Sequence, residues 1–240
     1  MINETHIRQF QERGYFILEN AFAEEELRPV ERELDKYIHE ANERLRQSGG
    51  GGISRADEIV FNAFLAEKSA LLRQFVSSSA FVNLTSQLIG PNVRLYWNQA
   101  VYKYPETEKE FPWHQDNGYT PLDPEQYYTC WISLNGASVE NGCVWVLPGS
   151  HKGGTRPHEN SPIGRVGYQG GDEGVPVELP RGGMGVFSSL TLHRSGPNLT
   201  DGVRKGYIVQ YIPAHARSAT SGADFSDRIW IVQDGSRPDA

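Results

Sequence analysis

The spacing of apolar residues predicts helices in the first third of the chain. Apolar side chains recur every three or four residues between Leu27 and Leu45, which is typical of an amphipathic helix with one buried stripe. We interpret the glycine run SGGGG at 48–52 as the end of this helix and a flexible connector. A phosphate-binding loop would need a preceding strand and a following Gly-Lys-Ser/Thr, and the sequence has neither. The stripe consists of Leu27, Val30, Leu34, Tyr37, Ile38, Ala41 and Leu45.

Shorter elements flank this long helix. Ile7 and Phe10 predict a short helix that stops at Gly14, ahead of a strand-like YFIL. A further helical stretch is expected over residues 64–89, closed by a Gly-Pro pair. The first 90 residues therefore form a mostly helical region.

From Val93 onward the pattern changes to short β-type runs separated by Gly, Pro and Asn. Eight such runs predict a mainly β fold with a barrel or jelly-roll core, and the helices are expected to pack on one outer face of it. We expect a single domain over 1–240, with helical support in 1–90 and the β core in 91–240. The runs are RLYWNQAVYKY, FPWHQD, YYTCWISL, CVWVLP, VPVEL, GMGVFSSLTLH, KGYIVQYIP and RIWIVQ.

Composition narrows the choice of partners and location. The 240 residues carry a formal net charge of −7, which argues against a broad surface for nucleic acid or an anionic membrane. No apolar run approaches the roughly 18–20 residues of a membrane span, and the first residues lack an apolar signal core. The sequence therefore predicts a soluble, cytoplasmic protein. Cys130 and Cys143 lie in apolar runs and are expected to be core residues.

The stretch WHQDNGY contains a candidate metal-binding pair. In a strand, residues two positions apart point to the same face, so His114 and Asp116 can reach one ion between them. Alone, this spacing is a weak indication, because a His-x-Asp is common by chance. A stable site needs a third ligand. His193, at the end of GVFSSLTLH and just before a turn, is the best placed, although a strand-end histidine can also simply bond to that turn.

Two imidazoles and one carboxylate on one face of a metal are typical of non-haem Fe(II) oxygenases. Such a site usually uses 2-oxoglutarate, whose far carboxylate is best held by a two-pronged guanidinium. Arg204 opens the strand RKGYIVQYIP after His193, and alternation puts Gly206, Ile208 and Gln210 on its face. By position alone, a surface arginine is equally compatible with this pattern.

A resemblance joins these motifs. The segments WHQDNGYTPLDPEQ, CWISLNGASVENGCVWVLPGSHKG and LHRSGPNLTDGVRKGYIVQY, together with the opening FQERGYFILENAFAEEEL, are similar to the phytanoyl-CoA hydroxylase family of Fe(II)/2-oxoglutarate dioxygenases. The likeness covers most of the chain, with the motifs in the family's order. It implies a double-stranded β-helix, cupin-like core and an enzyme that uses Fe(II), 2-oxoglutarate and O2.

The resemblance also implies residue roles. His114, Asp116 and His193 would bind iron, and Arg204 with Ser195 would hold the distal carboxylate of 2-oxoglutarate. Gln99 and Trp131 would line the co-substrate site, although both are also compatible with barrel packing. These seven residues are the predicted site.

The implied reaction is hydroxylation, or further oxidation, of a C–H bond, with release of succinate and CO2. We predict a small, partly apolar substrate, because scattered basic residues suit a polyanionic coenzyme A thioester poorly, and Tyr96, Tyr102, Tyr119 and Trp145 are expected at the rim. Two alternatives are a zinc hydrolase with the same ligands and a jelly-roll binding module without catalysis. Halogenation is disfavoured because a halide needs the coordination position that Asp116 would fill.

Residues 152–174, KGGTRPHENSPIGRVGYQGGDEG, have almost no apolar periodicity. Long loops of this kind often serve as active-site lids. We predict that this loop closes over the substrate, with a solvated loop of no function as the alternative.

Overall fold

The computed structural model describes residues 2–49, 51–105 and 109–238, so Gly50 of the predicted connector lies outside the described residues. The helices and strands below are those of the described part of the chain. The helices are α1 (Glu4–Arg13), α2 (Glu24–Ser48), α3 (Ala70–Val76) and α4 (Ser79–Leu88). The strands are β1 (Tyr15–Leu18), β2 (Ile59–Ala63), β3 (Val93–Lys103), β4 (Phe111–His114), β5 (Leu122–Asp123), β6 (Tyr128–Ser133), β7 (Val144–Val146), β8 (Glu159–Ser161), β9 (Gly164–Val166), β10 (Val175–Val177), β11 (Met184–Ser188), β12 (His193–Ser195), β13 (Arg204–Pro213), β14 (Arg217–Ser218) and β15 (Trp230–Val232).

The ends of the first two helices follow their sequence. The Asn3 side chain accepts a hydrogen bond from the His6 amide, which satisfies a free N–H at the start of α1. Gly14 ends α1 in the left-handed conformation (φ 85°) that glycine adopts without strain. Gly49 ends α2 in the same way (φ 75°), so the predicted end of the long helix is confirmed.

A seven-stranded antiparallel sheet, here called the main sheet, has the order β1-β11-β6-β13-β3-β15, with β2 also paired to β3. A second antiparallel sheet has the order β10-β7-β12-β4. Apolar side chains of both sheets meet between them, as Trp131 and Phe187 pack with Val144 and Val146. These two facing sheets form the predicted jelly-roll, cupin-like core.

Helices cover one face of the main sheet, as predicted. Leu34 of α2 and Phe81 of α4 belong to one buried cluster with Val209 of β13 and Cys130 of β6. Alternation along each strand sends these residues to the helices and their neighbours to the opposite face. The opposite face is turned towards the second sheet.

Three predicted elements were wrong in their extent. The run GMGVFSSLTLH is two strands, because the chain turns after Ser188, where the Thr191 amide donates to the Ser188 carbonyl (2.8 Å), and β12 joins the second sheet. The helical stretch 64–89 is split into α3 and α4 around Ser77 and Ser78. The segment FPWHQD leaves the strand after His114.

Residues 152–174 also contain more structure than the sequence predicted. Strands β8 and β9 form a short antiparallel hairpin within this segment. We call residues 154–167 the hairpin segment. Its position over the second sheet matters for the site described next.

Candidate active site

A cavity of about 290 Å³ lies between the two sheets. Its floor is the face of the main sheet away from the helices, and its side is formed by the second sheet. All seven residues that the sequence predicted for the site line it. They are Gln99, His114, Asp116, Trp131, His193, Ser195 and Arg204.

The three predicted metal ligands meet in this cavity. One donor atom from each of His114, Asp116 and His193 lies within 4.8 Å of the other two. The imidazole rings of the two histidines are 4.0 Å apart between centroids, and His193 Nε2 is 3.6 Å from Asp116 Oδ1. His114 and His193 come together because β4 and β12 are paired with these two residues in register.

Asp116 reaches the cluster in a different way from the one predicted. It begins a short 3₁₀ turn, Asp116–Gly118, and is not part of strand β4. The turn is closed by hydrogen bonds from the Gly118 amide to the Gln115 carbonyl (3.0 Å) and from the Tyr119 amide to the Asp116 carbonyl (3.0 Å). The predicted proximity of His114 and Asp116 is therefore confirmed. It results from a turn that follows the strand, and not from alternation within one strand.

Backbone carbonyls fix both imidazoles. His114 Nδ1 lies 2.8 Å from the Pro112 carbonyl and His193 Nδ1 lies 3.0 Å from the Thr191 carbonyl, so each Nδ1 carries the donated proton. Nε2 of each ring is then the nitrogen left for a metal. Burial, together with the neighbouring His193, holds the pKa of His114 well below its usual value, which keeps this ring neutral.

One polar residue that sequence reasoning missed, Thr129, holds the Asp116 carboxylate, and Gln210 in turn holds Thr129. The Thr129 hydroxyl donates to Asp116 Oδ2 (2.5 Å), and the Gln210 side-chain amide donates to the Thr129 oxygen (3.1 Å). With Oδ2 engaged, Oδ1 faces His193. Thr129 stands two positions before Trp131 in β6, so strand alternation from Trp131 would have found it.

Arg204 and Trp131 lie side by side on the floor. The Arg204 guanidinium carbon is 5.2 Å from the centre of the Trp131 ring, and both residues are almost fully buried. The predicted alternation is confirmed for Ile208 and Gln210, which line the cavity with Arg204. Gly206 allows Trp131 to lie flat against β13, because an added Cβ would be 2.8 Å from Trp131 Cζ2.

The donor set fits the iron site of an Fe(II) oxygenase. Two imidazoles and one carboxylate oxygen on one side of a metal would leave other coordination positions for further ligands. A buried guanidinium and the Ser195 hydroxyl in the same cavity fit the far carboxylate of a dicarboxylic co-substrate. The residues present therefore match both groups that the sequence predicted.

A second missed residue, His158, supports the backbone between the two ligands on the 113–119 segment. Its Nε2 accepts a hydrogen bond from the Gln115 amide (2.9 Å), and its Nδ1 lies 2.8 Å from the Arg156 carbonyl. Gly118 and Gly167 make room for the ring, since an added Cβ on either would come within 2.5 Å of it. Nothing local in the sequence distinguishes His158 from other loop histidines.

The hairpin segment is tied to the same stretch of chain by further bonds. The Gln115 side chain donates to the Gly154 carbonyl (3.0 Å) and accepts from the Arg156 amide (2.7 Å). The Gly167 amide donates to the Trp113 carbonyl (2.8 Å). Residues 154–167 therefore pack directly on the metal-ligand segment.

The rim prediction is half right. Tyr96 and Tyr119 line the cavity. Tyr96 does so because a bulge shifts the register of β3 at this residue, which lets both Tyr96 and Trp97 face inwards. Tyr119 is mostly buried, which raises its pKa to about 12.

Tyr102 and Trp145 were wrongly assigned to the rim. Tyr102 faces the helices, where its hydroxyl donates to Asp35 Oδ1 (2.7 Å). Trp145 lies on the second sheet beneath Arg194, whose guanidinium carbon is 4.7 Å from the ring. Strand alternation sets both positions. The presence of aromatic residues in the sequence does not show which face of a strand they occupy.

Comparison with known proteins agrees with this geometry. The sequence profile of the family described as "Phytanoyl-CoA dioxygenase (PhyH)" matches residues 10–206. A probable alpha-ketoglutarate-dependent hypophosphite dioxygenase of Stutzerimonas stutzeri is 26% identical, over 95% of this chain and 85% of the relative. The human peroxisomal phytanoyl-CoA dioxygenase is 23% identical, over 85% of this chain and 67% of the relative.

Solved structures show the same fold. The apo form of ThoJ, a non-heme monooxygenase, superposes with a TM-score of 0.76 at 24% identity, covering 94% of this chain and 82% of ThoJ. EvdO2 from Micromonospora carbonacea var. aurantiaca, solved with 2-oxoglutarate, gives a TM-score of 0.74 at 22% identity, with 93% and 95% coverage. The match to the dioxygenase family profile favours neither the zinc hydrolase nor the non-catalytic binding module.

In the ranges 2–49, 51–105 and 109–238, no helix combines sufficient length with sufficient apolar character to cross a bilayer.

Proposed function

The chain belongs to the phytanoyl-CoA dioxygenase family and is thus an Fe(II)/2-oxoglutarate-dependent oxygenase, and we propose that it hydroxylates a C–H bond of a small, partly apolar molecule. The observation that supports this most directly is the meeting of His114, Asp116 and His193 in one cavity with the buried Arg204. When bound, Fe(II) with 2-oxoglutarate and O2 supplies the oxidation, and succinate and CO2 are released.

We propose that His114, Asp116 and His193 hold the iron. Both histidines are oriented by their Nδ1 contacts to carbonyls, and Asp116 is oriented by Thr129. Such outer contacts keep ligands in place before the metal arrives, which reduces the cost of ordering them. The protein's contribution is a rigid set of three donors on one side of the site.

We propose that Arg204 binds the far carboxylate of 2-oxoglutarate, with Ser195 as a second donor. A guanidinium presents two parallel N–H groups to a carboxylate, and burial strengthens this contact. Trp131 and Gln99 would form the walls of the co-substrate site. The Gln99 side-chain oxygen accepts from Trp97 Nε1 (3.0 Å), which leaves its amide N–H groups available to the cavity.

Apolar side chains support the proposed substrate class. Aliphatic and aromatic residues form much of the cavity wall, and such residues exclude water and bind apolar surface. A polyanionic coenzyme A thioester would find little charge to pair with along these side chains. The walls are formed by Ile53, Ile59, Phe61, Trp97 and Phe111.

We also propose that residues 1–240 act as one domain, because the helices and the main sheet share one hydrophobic cluster. The cytoplasmic location and the absence of a nucleic-acid partner stay predictions from composition.

Replacement of one ligand tests the proposed iron site. In Asp116→Ala, iron loses its anionic ligand, so Fe(II) affinity is expected to fall by more than the roughly 10–100-fold typical of outer-contact losses. Substrate-independent 2-oxoglutarate turnover should also disappear. Anaerobic metal analysis and succinate formation measure the two effects. Full iron occupancy in the variant would contradict the assignment.

We further propose that residues 152–174, through their hairpin segment, act as a lid that tightens when substrate is bound. Its bonds to Gln115 and Trp113 support this, because they couple its position to the ligand segment. Cleavage by trypsin after Arg156 or Arg165 should slow when iron, 2-oxoglutarate and substrate are present anaerobically. Equal cleavage rates with and without these ligands would exclude a lid.

A further inference from the structure

Iron and 2-oxoglutarate would not supply an opposite charge for every charged side chain that lines the cavity. Among the described residues, the permanently charged side chains at its wall are Asp116, Arg165, Arg194 and Arg204. Arg194 is paired with Glu110, with 3.0 Å between Nη1 and Oε1. That pair is neutral, so Arg194 needs no charge from a ligand.

This step rests on the proposed function, in which Fe(II) and 2-oxoglutarate occupy the cavity and pair with the other charged side chains. The two positive charges of Fe(II) would be balanced by Asp116 and by one carboxylate of 2-oxoglutarate. The far carboxylate would pair with Arg204. Among the residues that the structure describes, the charge of Arg165 would then have no counterpart in the loaded site, and a half-buried charge is costly unless it is paired or solvated.

The structure holds Arg165 in place without neutralising it. Its backbone amide donates to the Tyr119 hydroxyl (2.8 Å), and its Nη1 donates to the Gly118 carbonyl (2.7 Å). The guanidinium carbon is 5.7 Å from the centre of the Tyr119 ring. Within residues 2–49, 51–105 and 109–238, no carboxylate lies within 4.0 Å of this guanidinium.

The free edge of this guanidinium has a shape that suits one type of ligand. Because Nη1 is used by the backbone carbonyl, the Nε and Nη2 edge is left for other partners. That edge presents two parallel N–H groups, the arrangement that matches the two oxygens of a carboxylate.

We infer that Arg165 binds a single carboxylate of the primary substrate, and that the substrate is therefore a small apolar monocarboxylic acid. This inference rests on the proposed function. Tyr119 connects the two parts of the site, because its ring lies 5.3 Å from the His114 ring and its hydroxyl binds the Arg165 amide. The carboxylate would thus be held on the same side of the cavity as the metal ligands, with the apolar chain against Ile53, Phe61 and Phe111.

The test compares acids with their neutral amides. Hexanoate, octanoate, cyclohexanecarboxylate and cinnamate, each with its primary amide, are titrated into the anaerobic complex with Fe(II) and 2-oxoglutarate by calorimetry. A charge-assisted, two-pronged contact should make at least one acid bind about 10–100-fold more tightly than its amide. Arg165→Gln should abolish that difference, and Arg165→Lys should retain part of it.

A matched control separates charge from the placement of the hairpin. Arg55 Nη2 donates to the Pro162 carbonyl (2.7 Å) at the tip of the same hairpin, but Arg55 is not among the residues that line the cavity. Arg55→Gln should therefore keep the preference for acids. Equal loss of the preference in Arg55→Gln and Arg165→Gln would overturn the inference, because hairpin placement would then explain both.

The 2-oxoglutarate titration, recorded first in each sample, distinguishes this inference from the proposed function. Failure of the wild-type protein to bind 2-oxoglutarate would contradict the proposed function. Normal 2-oxoglutarate binding with no acid preferred over its amide would overturn the role of Arg165 alone. An unchanged preference in Arg165→Gln would do the same.

Discussion

The face of the main sheet that packs on the helices differs from the face that lines the cavity, although both come from the same strands. In β13, Tyr207, Val209 and Tyr211 face the helices and are fully buried, and both tyrosine hydroxyls have partners, Asn98 Oδ1 (3.1 Å) and the Val76 carbonyl (2.7 Å). The alternate residues Arg204 and Gln210 present charge and polar atoms to the cavity.

One strand therefore packs against the helices with one face and lines the cavity with the other. Side chains two positions apart share a face, so a change on the helix face alters packing without touching the ligands. A change on the cavity face alters the groups that bind them. The following substitutions test how completely the two faces are separated.

The largest effect on stability is expected on the helix face. Leu34→Ala removes a fully buried side chain from α2, so the free energy of unfolding should fall by about 2–5 kcal/mol. Urea denaturation measures this loss. Iron and 2-oxoglutarate affinities of the folded protein should be unchanged. Glu40→Ala, at an exposed position of the same helix, is the control and should change stability little.

On the cavity face, Arg204→Ala should act mainly on the co-substrate. Loss of a charge-assisted contact costs about 1.5–3 kcal/mol, so 2-oxoglutarate affinity should fall by roughly 10–100-fold. Arg204→Lys should recover only part of it, since an ammonium cannot make the two-pronged contact. If the Michaelis constant for 2-oxoglutarate were unchanged in Arg204→Ala, another residue would hold that carboxylate.

Gly206→Ala should affect both stability and ligand binding, because this residue of the cavity face also sets the packing of Trp131. The added methyl would lie 2.8 Å from Trp131 Cζ2 and force the ring to move. We expect a loss of about 1–3 kcal/mol in stability together with weaker 2-oxoglutarate binding. Gly202→Ala has open space around it and should be tolerated. Thermal unfolding measures the stability of the two variants, and a titration measures their affinity for 2-oxoglutarate. Full 2-oxoglutarate binding in Gly206→Ala would show that Trp131 does not position the co-substrate.

Thr129→Val should have the smallest effect, and one confined to the metal. It removes the donor to Asp116 Oδ2 while keeping the shape of the side chain. Fe(II) affinity should fall by about 10-fold, as is usual for contacts that orient a ligand. Thr129→Ser, which keeps the hydroxyl, should restore it. Equal Fe(II) dissociation constants for wild type and Thr129→Val would show that Asp116 needs no such support.

Much of the site could be predicted because its residues follow local rules. Strand alternation alone places Arg204, Ile208 and Gln210 on one face of β13, and all three line the cavity. The His-x-Asp pair lies within three residues, so its members stay close even though a turn replaces the expected strand. The end of α2 needed only an apolar stripe and a following glycine.

Other parts of the site depend on contacts between segments far apart in sequence. His193 faces His114 only because the chain turns after Ser188 and β12 pairs with β4. His158 and Arg165 reach the ligand segment from the hairpin segment, and no periodicity in the hairpin segment indicates it.

Local spacing, and motifs that keep their order along the chain, were therefore sufficient to predict the mainly β fold with its helices on one face, the three candidate metal ligands that meet in the cavity and the arginine that opens β13. Long-range packing was needed to determine which side chains orient those ligands, that Tyr102 and Trp145 turn away from the cavity, and that Arg165 faces it. The cause is that the pairing of distant strands, and a bulge such as that at Tyr96, set which face a residue occupies, and both depend on the packing of the whole chain.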